Sequence, residues 1–280
     1  MSMLSLGLDL SERPVRAVMV DERGEVIARG TADTGTQAAR ALMTAHAPDR
    51  AGIAASDAGD RTTIPGITRV TRCTPGAAAI AAEAWLGEAR KVRHAICLHI
   101  GDEVYAGLML DGSPWSGAHG RAVAAAWLAL NPVERQDYRR EGSLAAEVSA
   151  KGVARRLSWR IQAGDRSRVL EAAGGSLDAI TGQHVFDGAR AGDGVAISVV
   201  RDTAKYIGMA VATLAAAIDP DVVIVSGSVA AADLMRESVR QECARRLPPD
   251  AMTDLRVEFS TLGPDAVAIG AARVALTASV

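Results

Sequence analysis

Short apolar runs bounded by turn residues fill the first third of the chain, and this pattern predicts strands. Two alanine-rich runs between them have the length and spacing of helices. The predicted strands are residues 4–10, 15–21, 25–30, 51–55 and 67–73, and the predicted helices are residues 37–47 and 77–86. The chain therefore opens with a strand–turn–strand unit that is followed by helices.

The same layout returns near the middle of the chain. Residues 94–100 and 104–110 predict two strands joined by a short turn, and Asp111-Gly112 is a strong hairpin signal after them. Further helices are predicted at residues 144–162 and 193–218 and after Gly263-Pro264, and strands at residues 222–225 and 255–260. These two units predict an internally duplicated α/β protein with domains at residues 1–92 and 93–280, whose turns face a shared cleft.

The composition predicts a core built mainly from aliphatic side chains. Hydrophobic residues make up 49% of the 280 residues and aromatic residues only 3%, so Ala, Val, Leu and Ile must fill the interior. A net charge of −2 without any block of like charge offers no electrostatic footprint for nucleic acid or an anionic membrane. The uncharged run near residues 207–218 is shorter than the roughly 20 residues of a membrane helix.

The cysteines and the N-terminal residues indicate the cellular compartment of the protein. Cys73, Cys97 and Cys243 form no C-x-x-C pair and no Cys/His cluster with zinc spacing, so we expect buried thiols. No basic region precedes the first apolar segment, and we therefore expect no signal peptide. These features predict a cytoplasmic protein.

The first turn carries the layout of a phosphate-binding hairpin without its usual chemistry. Asp9 ends the first predicted strand, and Ser11-Glu12-Arg13-Pro14 leads into the second. Glycines, which let a backbone approach phosphates closely, are missing from this turn. Glu12 adds a negative charge and Pro14 lacks an N–H donor.

The order of these elements resembles the ROK family of sugar kinases, in the actin-like/hexokinase superfamily, along nearly the whole chain. The resemblance is carried by residues 6–30, by residues 100–120 with Gly117-Ala118-His119-Gly120, by residues 219–230, and by residues 262–272. It implies two duplicated RNase H-like/actin-like α/β halves around a central cleft, and a homodimer, for which residues 193–218 offer apolar surface. Because no helix-turn-helix sequence precedes Leu4, the DNA-binding branch of the family is not expected.

The family's phosphate-binding motifs are altered here. Family members carry Asp-x-Gly-Gly-Thr in the first hairpin, of which only Asp9 is present. Their second loop reads Gly-Thr-Gly-x-Gly, of which Gly101 and Gly107 are present. The triphosphate of ATP would meet Glu12, Asp102 and Glu103, and like charges at about 4 Å repel by about 4 kcal/mol at an effective dielectric constant near 20. The resemblance therefore implies weak or no ATP binding, with Asp9 as a weak candidate for a divalent cation.

The catalytic, sugar-binding and zinc motifs are altered as well. The family's catalytic base belongs to an Asn-Asp pair that opens a helix, and the matching position is Thr74-Pro75. The Glu-x-x-His pair that holds sugar hydroxyls falls on Arg121 and Ala124, and residues 137–142 lack the Cys/His zinc ligands. If the alignment of residues 55–73 is shifted, Asp57 or Asp60 supplies the base. Glu83 is expected to be a solvated helix residue.

The remaining polar residues give two sets of candidates. The expected cleft residues are Asp9, Glu12, Arg13, His99, Asp102, Glu103 and His119, and the residues kept from a nucleotide site are Gly101, Gly107, Ser226, Gly227 and Ser228. One interpretation makes the acidic turns ordinary polar surface, with Arg13 neutralising an acid. Another makes them a repurposed site for a cation or a basic ligand. Trp115 and Trp127 are expected to pack, filling the former sugar pocket.

These observations favour a protein that has lost ATP-dependent sugar phosphorylation and binds a small-molecule ligand or a protein partner, with no cofactor expected. One alternative is an enzyme with new chemistry in the acidic cleft. Another is a working hexose or amino-sugar kinase that uses ATP and Mg²⁺ with displaced catalytic residues.

Overall fold

Two mixed five-stranded sheets form the framework of the chain in a computed structural model that describes residues 3–56 and 60–278. In the first sheet, neighbouring strands run antiparallel on one side of β1 and parallel on the other. Its strands are β1 (Leu4–Asp9), β2 (Val15–Asp21), β3 (Val26–Ala32), β4 (Arg50–Ala54) and β5 (Val70–Cys73), in the spatial order β3-β2-β1-β4-β5.

The second sheet repeats the strand–turn–strand opening of the first. It contains β6 (Ala95–Ile100), β7 (Val104–Leu110), β8 (Ser113–Pro114), β9 (Val222–Ser226) and β10 (Arg256–Phe259), in the order β10-β9-β6-β7-β8. Asp111 and Gly112 join β7 to β8 with φ values of 51° and 76°, which Asp-Gly adopts readily in a tight hairpin turn. The hairpin predicted at these residues is confirmed.

Eleven α-helices lie in the described part of the chain, and four of them, at residues 35–43, 75–86, 194–218 and 266–277, match predicted helices within about four residues. None of these helices combines the length and the apolar character that crossing a membrane requires. They are α1 (Gly35–Met43), α2 (Pro75–Leu86), α3 (Gln136–Glu141), α4 (Ser143–Val148), α5 (Ala150–Gln162), α6 (Val169–Ala172), α7 (Gly182–Arg190), α8 (Gly194–Ile218), α9 (Ala232–Ala244), α10 (Ala251–Asp254) and α11 (Ala266–Thr277).

The helix predicted over residues 144–162 is two helices instead of one. Ser149 interrupts it, because its backbone is extended and its Oγ accepts a hydrogen bond from the N–H of Gly152. Serine favours this N-cap role over a place inside a helix. The break separates α4 from α5.

The chain forms two compact units. The first contains the described residues of Met1–Cys97, Tyr105–Val123 and Ser260–Val280, and the second contains Leu98–Val104 and Ala124–Phe259. The division into residues 1–92 and 93–280 stays a prediction.

Small residues let α11 lie directly on the sheet of the first unit. A Cβ added to Gly7 would lie 1.9 Å from the carbonyl oxygen of Ala268, and one added to Gly52 would lie 1.8 Å from that of Ala271. Leu6, Leu8 and other aliphatic side chains fill the opposite side with α1. The predicted aliphatic core is therefore present, and the carboxyl end of β1, where Asp9 lies, is held rigidly.

Candidate functional site

The turn after β1 is closed by a hydrogen-bonded pair, Asp9 and Ser11. Oδ1 of Asp9 accepts hydrogen bonds from the Ser11 Oγ at 2.6 Å and from the Ser11 backbone N–H at 2.9 Å. Asp9 is only 2% exposed, because β1 is a central strand of its sheet. The pair forms an Asx turn, in which a side chain replaces a backbone acceptor.

Tyr105 lies against this turn within the first unit. Its hydroxyl is 3.4 Å from the Ser11 Oγ. Burial, followed by the charge of Asp9 and more weakly that of Glu12, raises the pKa of Tyr105 well above its ordinary value. Asp9 and Glu12 therefore lie in the same acidic neighbourhood, as the candidate set anticipated.

Arg13 is an exposed residue of the same turn. The interpretation in which Arg13 pairs with one of the acids stays a prediction. Its position beside Pro14, at the outer end of the turn, leaves the guanidinium in solvent.

The first turn does not fit a triphosphate. The Ser11 amide and hydroxyl both donate to Asp9, and Pro14 has no N–H to offer. Glu12 brings a half-buried carboxylate to the same turn. Phosphate-binding loops need several free backbone donors and a positive field, whereas this turn has one amide already bonded to a carboxylate, a proline, and the acidic Glu12.

Thr74 and Pro75, which the resemblance matches to the family's catalytic base, form a helix cap. Thr74 precedes α2, and its Oγ1 accepts a hydrogen bond from the N–H of Ala77 at 3.2 Å. Pro75 is buried in the first turn of the helix, where a missing N–H is tolerated. Neither side chain can accept a proton from a sugar hydroxyl at neutral pH.

Gly107 was expected to be a retained residue of the family's nucleotide site, and in the structure it has a packing role. A Cβ on Gly107 would lie 1.9 Å from the carbonyl oxygen of Gly76, and one on Gly76 would lie 2.2 Å from that of Ala106. The start of α2 therefore lies in backbone contact with β7. This contact alone requires glycine at both positions.

Asp57 and Asp60 are the two other carboxylates proposed as catalytic bases. Asp57 lies outside the described residues. Asp60 accepts hydrogen bonds from the Thr62 amide at 2.9 Å and from Arg72 Nη1 at 3.0 Å. Burial acts to raise the pKa of Asp60, but these hydrogen bonds outweigh burial and hold the pKa below its ordinary value. A base held by an arginine with a lowered pKa is a poor proton acceptor.

The thiol of Cys73, at the end of β5, is not a nucleophile. Burial, reinforced by the charge of Asp9, raises its pKa to about 12. The thiol therefore stays protonated at neutral pH, and the nucleophilic form is the thiolate. Its Sγ lies 3.7 Å from the carbonyl oxygen of Ile53.

Glu83 is fully buried, so the prediction of a solvated helix residue is wrong. Its carboxylate accepts hydrogen bonds from the Ser260 Oγ at 2.5 Å and from the Glu88 amide at 3.0 Å. Burial raises its pKa, against the effect of these two bonds. The error has a clear cause, because α2 is apolar around nearly its whole circumference and is packed against α11.

In the second unit, His99 and Ser226 form the corresponding buried pair. The Nδ1 of His99 lies 3.2 Å from the Ser226 Oγ, at the carboxyl ends of β6 and β9. Both residues are less than a tenth exposed. Two residues from different candidate sets are thereby brought together.

Backbone contacts close the turn after β6. The Gly101 N–H donates to the Glu103 carbonyl oxygen at 2.9 Å, and the Gly101 carbonyl accepts from the Ala150 N–H at 2.9 Å. Gly227 has a φ of 96°, and a Cβ there would lie 2.3 Å from the carbonyl oxygen of Ile100. Asp102 and Glu103 place exposed carboxylates on the turn. This turn does not fit a triphosphate either.

Of the remaining candidates, Ser228 and His119 are exposed, and so are Trp115 and Trp127. The two tryptophans are 50% and 58% exposed, so the prediction that they pack is wrong. Trp115 follows the two-residue strand β8 and Trp127 ends a 3₁₀ turn, so neither lies on an element that a second layer covers.

A cavity of about 430 Å³ lies beside Asp102 in the second unit. Its walls are one side of α5, with Lys151, Arg155 and Trp159, and the segment 177–182, with Leu177 and Asp178. The volume is in the range of small-molecule sites. An indole, aliphatic side chains and charges of both signs suit a polar ligand with one apolar face.

A charged cluster that the sequence analysis missed holds the segment before α5. The Arg135 guanidinium pairs with Asp137 and with Glu147, the latter at 2.8 Å, and Tyr138 donates to Glu147 at 2.5 Å. Arg155 approaches Asp137 to 3.0 Å. The hydrogen bond from Arg135 lowers the pKa of Asp137, and burial raises that of Tyr138 to about 12.

This cluster lies where the resemblance implies a zinc site. Among the residues that the structure describes, no group of three or more His, Cys, Asp or Glu side chains is placed to hold a metal ion. Ion pairs and a tyrosine hydroxyl connect the segment to α4 instead. The sequence contained no periodic signal for it, since the charges are brought together only by the turn at Gly142.

Curated relatives of this chain include two glucokinases. The glucokinase of Halalkalibacterium halodurans is 27% identical over 196 residues, which are 67% of this chain and 58% of that protein. The glucokinase of Thermotoga maritima is 26% identical over 194 residues, 69% and 61% of the two chains. The matches thus span about six tenths of these relatives' length.

Solved structures share the fold across nearly the whole chain. The ROK family glucokinase of Streptomyces griseus, in complex with glucose and AMPPNP, has a TM-score of 0.83 at 23% identity and covers 98% of this chain and 100% of that one. A ROK family transcriptional regulator homologous to the E. coli MLC protein has a TM-score of 0.79 at 20% identity, with 99% and 78% covered. The predicted actin-like α/β fold is confirmed.

The sequence model of the ROK family matches residues 74–278, which form most of the chain. This range includes the helix that starts at Pro75, both glycine-containing turns of the second unit and α11. The chain belongs to the ROK family.

Proposed function

We propose that this protein binds a ligand without transferring phosphate to it. The observation that carries the proposal is the start of α2, where Thr74 caps the helix and Pro75 fills its first turn. A positioned general base contributes roughly 10²–10⁴-fold to proton transfer. Thr74-Pro75, which the resemblance matches to the position of the family's base, contains no titratable group.

The two turns support the same conclusion from the side of the cosubstrate. Ser11 donates to Asp9 in one turn, and Gly101 donates to Glu103 in the other. Donors that are already bonded inside the protein are not free to bind phosphate oxygens, and breaking such bonds costs about 1 kcal/mol or more for each. ATP with Mg²⁺ is therefore a poor fit, and we propose no step that uses it.

The ligand site that we propose is the cavity beside Asp102. Trp159 gives it an apolar wall, and the ring is itself covered by Arg155, whose guanidinium carbon lies 5.3 Å from the ring centroid. Sugars are recognised by such combinations of an aromatic face with polar side chains. The similar chains include a glucokinase solved with glucose and a transcriptional regulator, so both catalytic and non-catalytic proteins share this fold.

A panel of hexoses and amino sugars tests both parts of the proposal. With Mg-ATP present, we expect no sugar-dependent ADP release above that of the Asp9→Asn variant. In a thermal-shift titration without nucleotide, we expect at least one sugar of the panel to stabilise the wild type and not the Trp159→Ala variant. The exposed Trp115→Ala variant is the control. If a sugar stabilises the Trp159→Ala variant as much as the wild type, the cavity is not the sugar-binding site.

A second candidate function is an ATP-dependent sugar kinase, which the names of the curated relatives favour. It requires a base from elsewhere, and Asp60 and Asp57 are the two candidates named from the sequence. Sugar-dependent ADP release that disappears in Asp57→Asn or Asp60→Asn would establish this function and overturn ours.

Two further expectations stay predictions. An enzyme that uses the acidic turns for new chemistry predicts tight binding of one divalent cation, lost in the double variant Glu12→Ala/Glu103→Ala. A homodimer predicts twice the mass of one chain in light scattering. The mass and the cation binding are measured on the unmodified protein, and the loss of cation binding is measured on the double variant.

A further inference from the structure

Arg50 is a buried cation at the amino end of β4. Asp9 lies at the opposite end of the parallel strands, at the carboxyl end of β1. Arg50 is 8% exposed. One nitrogen of its guanidinium, Nη1, donates to the carbonyl oxygens of Ala275 at 2.9 Å and Leu276 at 3.2 Å, near the end of α11. These bonds occupy one edge of the guanidinium.

The Nε of the same guanidinium lacks a partner among the described residues. It is buried and has no hydrogen-bond acceptor there, and no carboxylate of these residues lies within 4 Å of the side chain. Buried charges in proteins are generally paired, because an unpaired one is costly. The carbonyl groups at the end of α11 offset only part of this charge. The edge that carries Nε is the one on which arginine takes an oxyanion with two parallel hydrogen bonds.

A second arginine and two hydroxyl groups lie beside it. Arg50 lines a cavity of about 290 Å³ together with Thr68 and Arg69, which precede β5, and Thr71 within it. The strands fix this arrangement, because β4 and β5 are parallel and the Ala51 N–H donates to the Arg69 carbonyl oxygen at 2.9 Å. Of the described residues that line this cavity, none is acidic.

We propose that this cavity binds an oxyanion of the phosphate class, either free phosphate or a phosphate monoester. Two guanidinium groups supply the charge, and two threonine hydroxyls supply neutral donors. The site lies four residues along β4 from Ala54, which pairs with Asp9, a separation of about 13 Å along the strand. The site is therefore distinct from the turns after β1 and β6, and the proposal does not depend on the function proposed for the protein.

The melting temperature in sodium phosphate, compared with sodium chloride at equal ionic strength, tests the site. We expect phosphate to raise the melting temperature of the wild type and of Arg40→Ala, a control on the exposed side of α1. Arg69→Ala, which changes an exposed residue, should lose at least tenfold in phosphate affinity in calorimetric titration. Arg50→Lys keeps the charge but not the paired donors, and it should lose a similar factor.

The outcomes separate the proposal from a structural role of Arg50. No phosphate effect on the wild type, or an equal effect on Arg69→Ala, overturns it. If Arg50→Lys does not fold, Arg69→Ala still decides. A parallel titration with glycerol phosphate distinguishes the sources, since tighter binding than that of inorganic phosphate identifies a monoester and weaker binding identifies the free ion.

Discussion

The turn after β1 and the turn after β6 have the same layout and are closed in different ways. In the first unit, a buried carboxylate, Asp9, binds the amide and hydroxyl of Ser11. In the second unit, backbone bonds of Gly101 close the turn, and in the adjacent buried pair the Nδ1 of His99 lies 3.2 Å from the Ser226 Oγ. Both arrangements consume donors that a phosphate would need.

The difference gives the proposed loss of phosphate binding two physical origins. A charge-assisted bond holds the first turn, and such bonds are stronger than those between neutral groups. Tight backbone packing around Gly227 and Ile100 holds the second. The two turns should therefore respond to different substitutions.

The largest effect is expected for Gly227→Ala in the second unit. Its φ of 96° is unfavourable for alanine, and the new Cβ would lie 2.3 Å from the Ile100 carbonyl oxygen. We expect a loss of about 3 kcal/mol or more in the free energy of unfolding, measured by urea denaturation. Gly112→Ala is the control, because its φ is also positive but a Cβ there meets no atom within 4 Å. Equal losses in the two variants would show that the contact with Ile100 is not tight.

The Ser11→Ala variant should have the next largest effect. It removes the hydroxyl donor from a carboxylate that is 2% exposed, which should lower the free energy of unfolding by about 2 kcal/mol. Ser228→Ala, at an exposed serine, should leave the urea midpoint unchanged. A change below that of Ser228→Ala would mean that the Asp9–Ser11 pair does not stabilise the first turn.

Ser226→Ala should cost less than Ser11→Ala. Its hydrogen bond with His99 contributes about 1 kcal/mol in the same measurement, the usual value for a bond of this kind. The comparison of the two serine variants tests the difference between the turns directly. A larger loss in Ser226→Ala would reverse our ranking of them.

The smallest expected effect is in the pH dependence, and its sign differs between the units. The pKa of Glu83 is raised by burial, so the wild type loses stability relative to Glu83→Gln as pH rises from the ordinary value of 4.5 through the raised pKa. The pKa of Asp137 is lowered by Arg135, so the advantage of the wild type over Asp137→Asn disappears as pH falls below 3.8. Urea midpoints across this acidic range measure both trends. Trends of the same sign would contradict one of the two assignments.

Most of the fold followed from local patterns in the sequence. The strand pair at residues 94–100 and 104–110 and the Asp111-Gly112 turn were predictable because short-range periodicity and turn chemistry determine them. Helices α4 and α5, which were predicted as one helix, are separated by Ser149. The role of Ser149 as an N-cap depends on the chain direction that the tertiary structure imposes.

The site was less predictable, because its contacts join distant residues. The sequence placed Asp9, Glu12 and Gly101 in turns, but it did not show that Ser11 would bind the Asp9 carboxylate. Glu83 was assigned to solvent, since a single glutamate among alanines does not reveal that helix α2 is covered on all sides. The Arg135–Glu147 pair spans a turn at Gly142 that only the folded chain defines.

The central claim, that the chain does not transfer phosphate, is tested most directly by ADP release from Mg-ATP with a panel of hexoses and amino sugars. The wild type should release no more ADP with sugar than without it, and Asp9→Asn should match the wild type. Sugar-dependent release by the wild type that is lost in Asp9→Asn would contradict the claim and make the protein a sugar kinase.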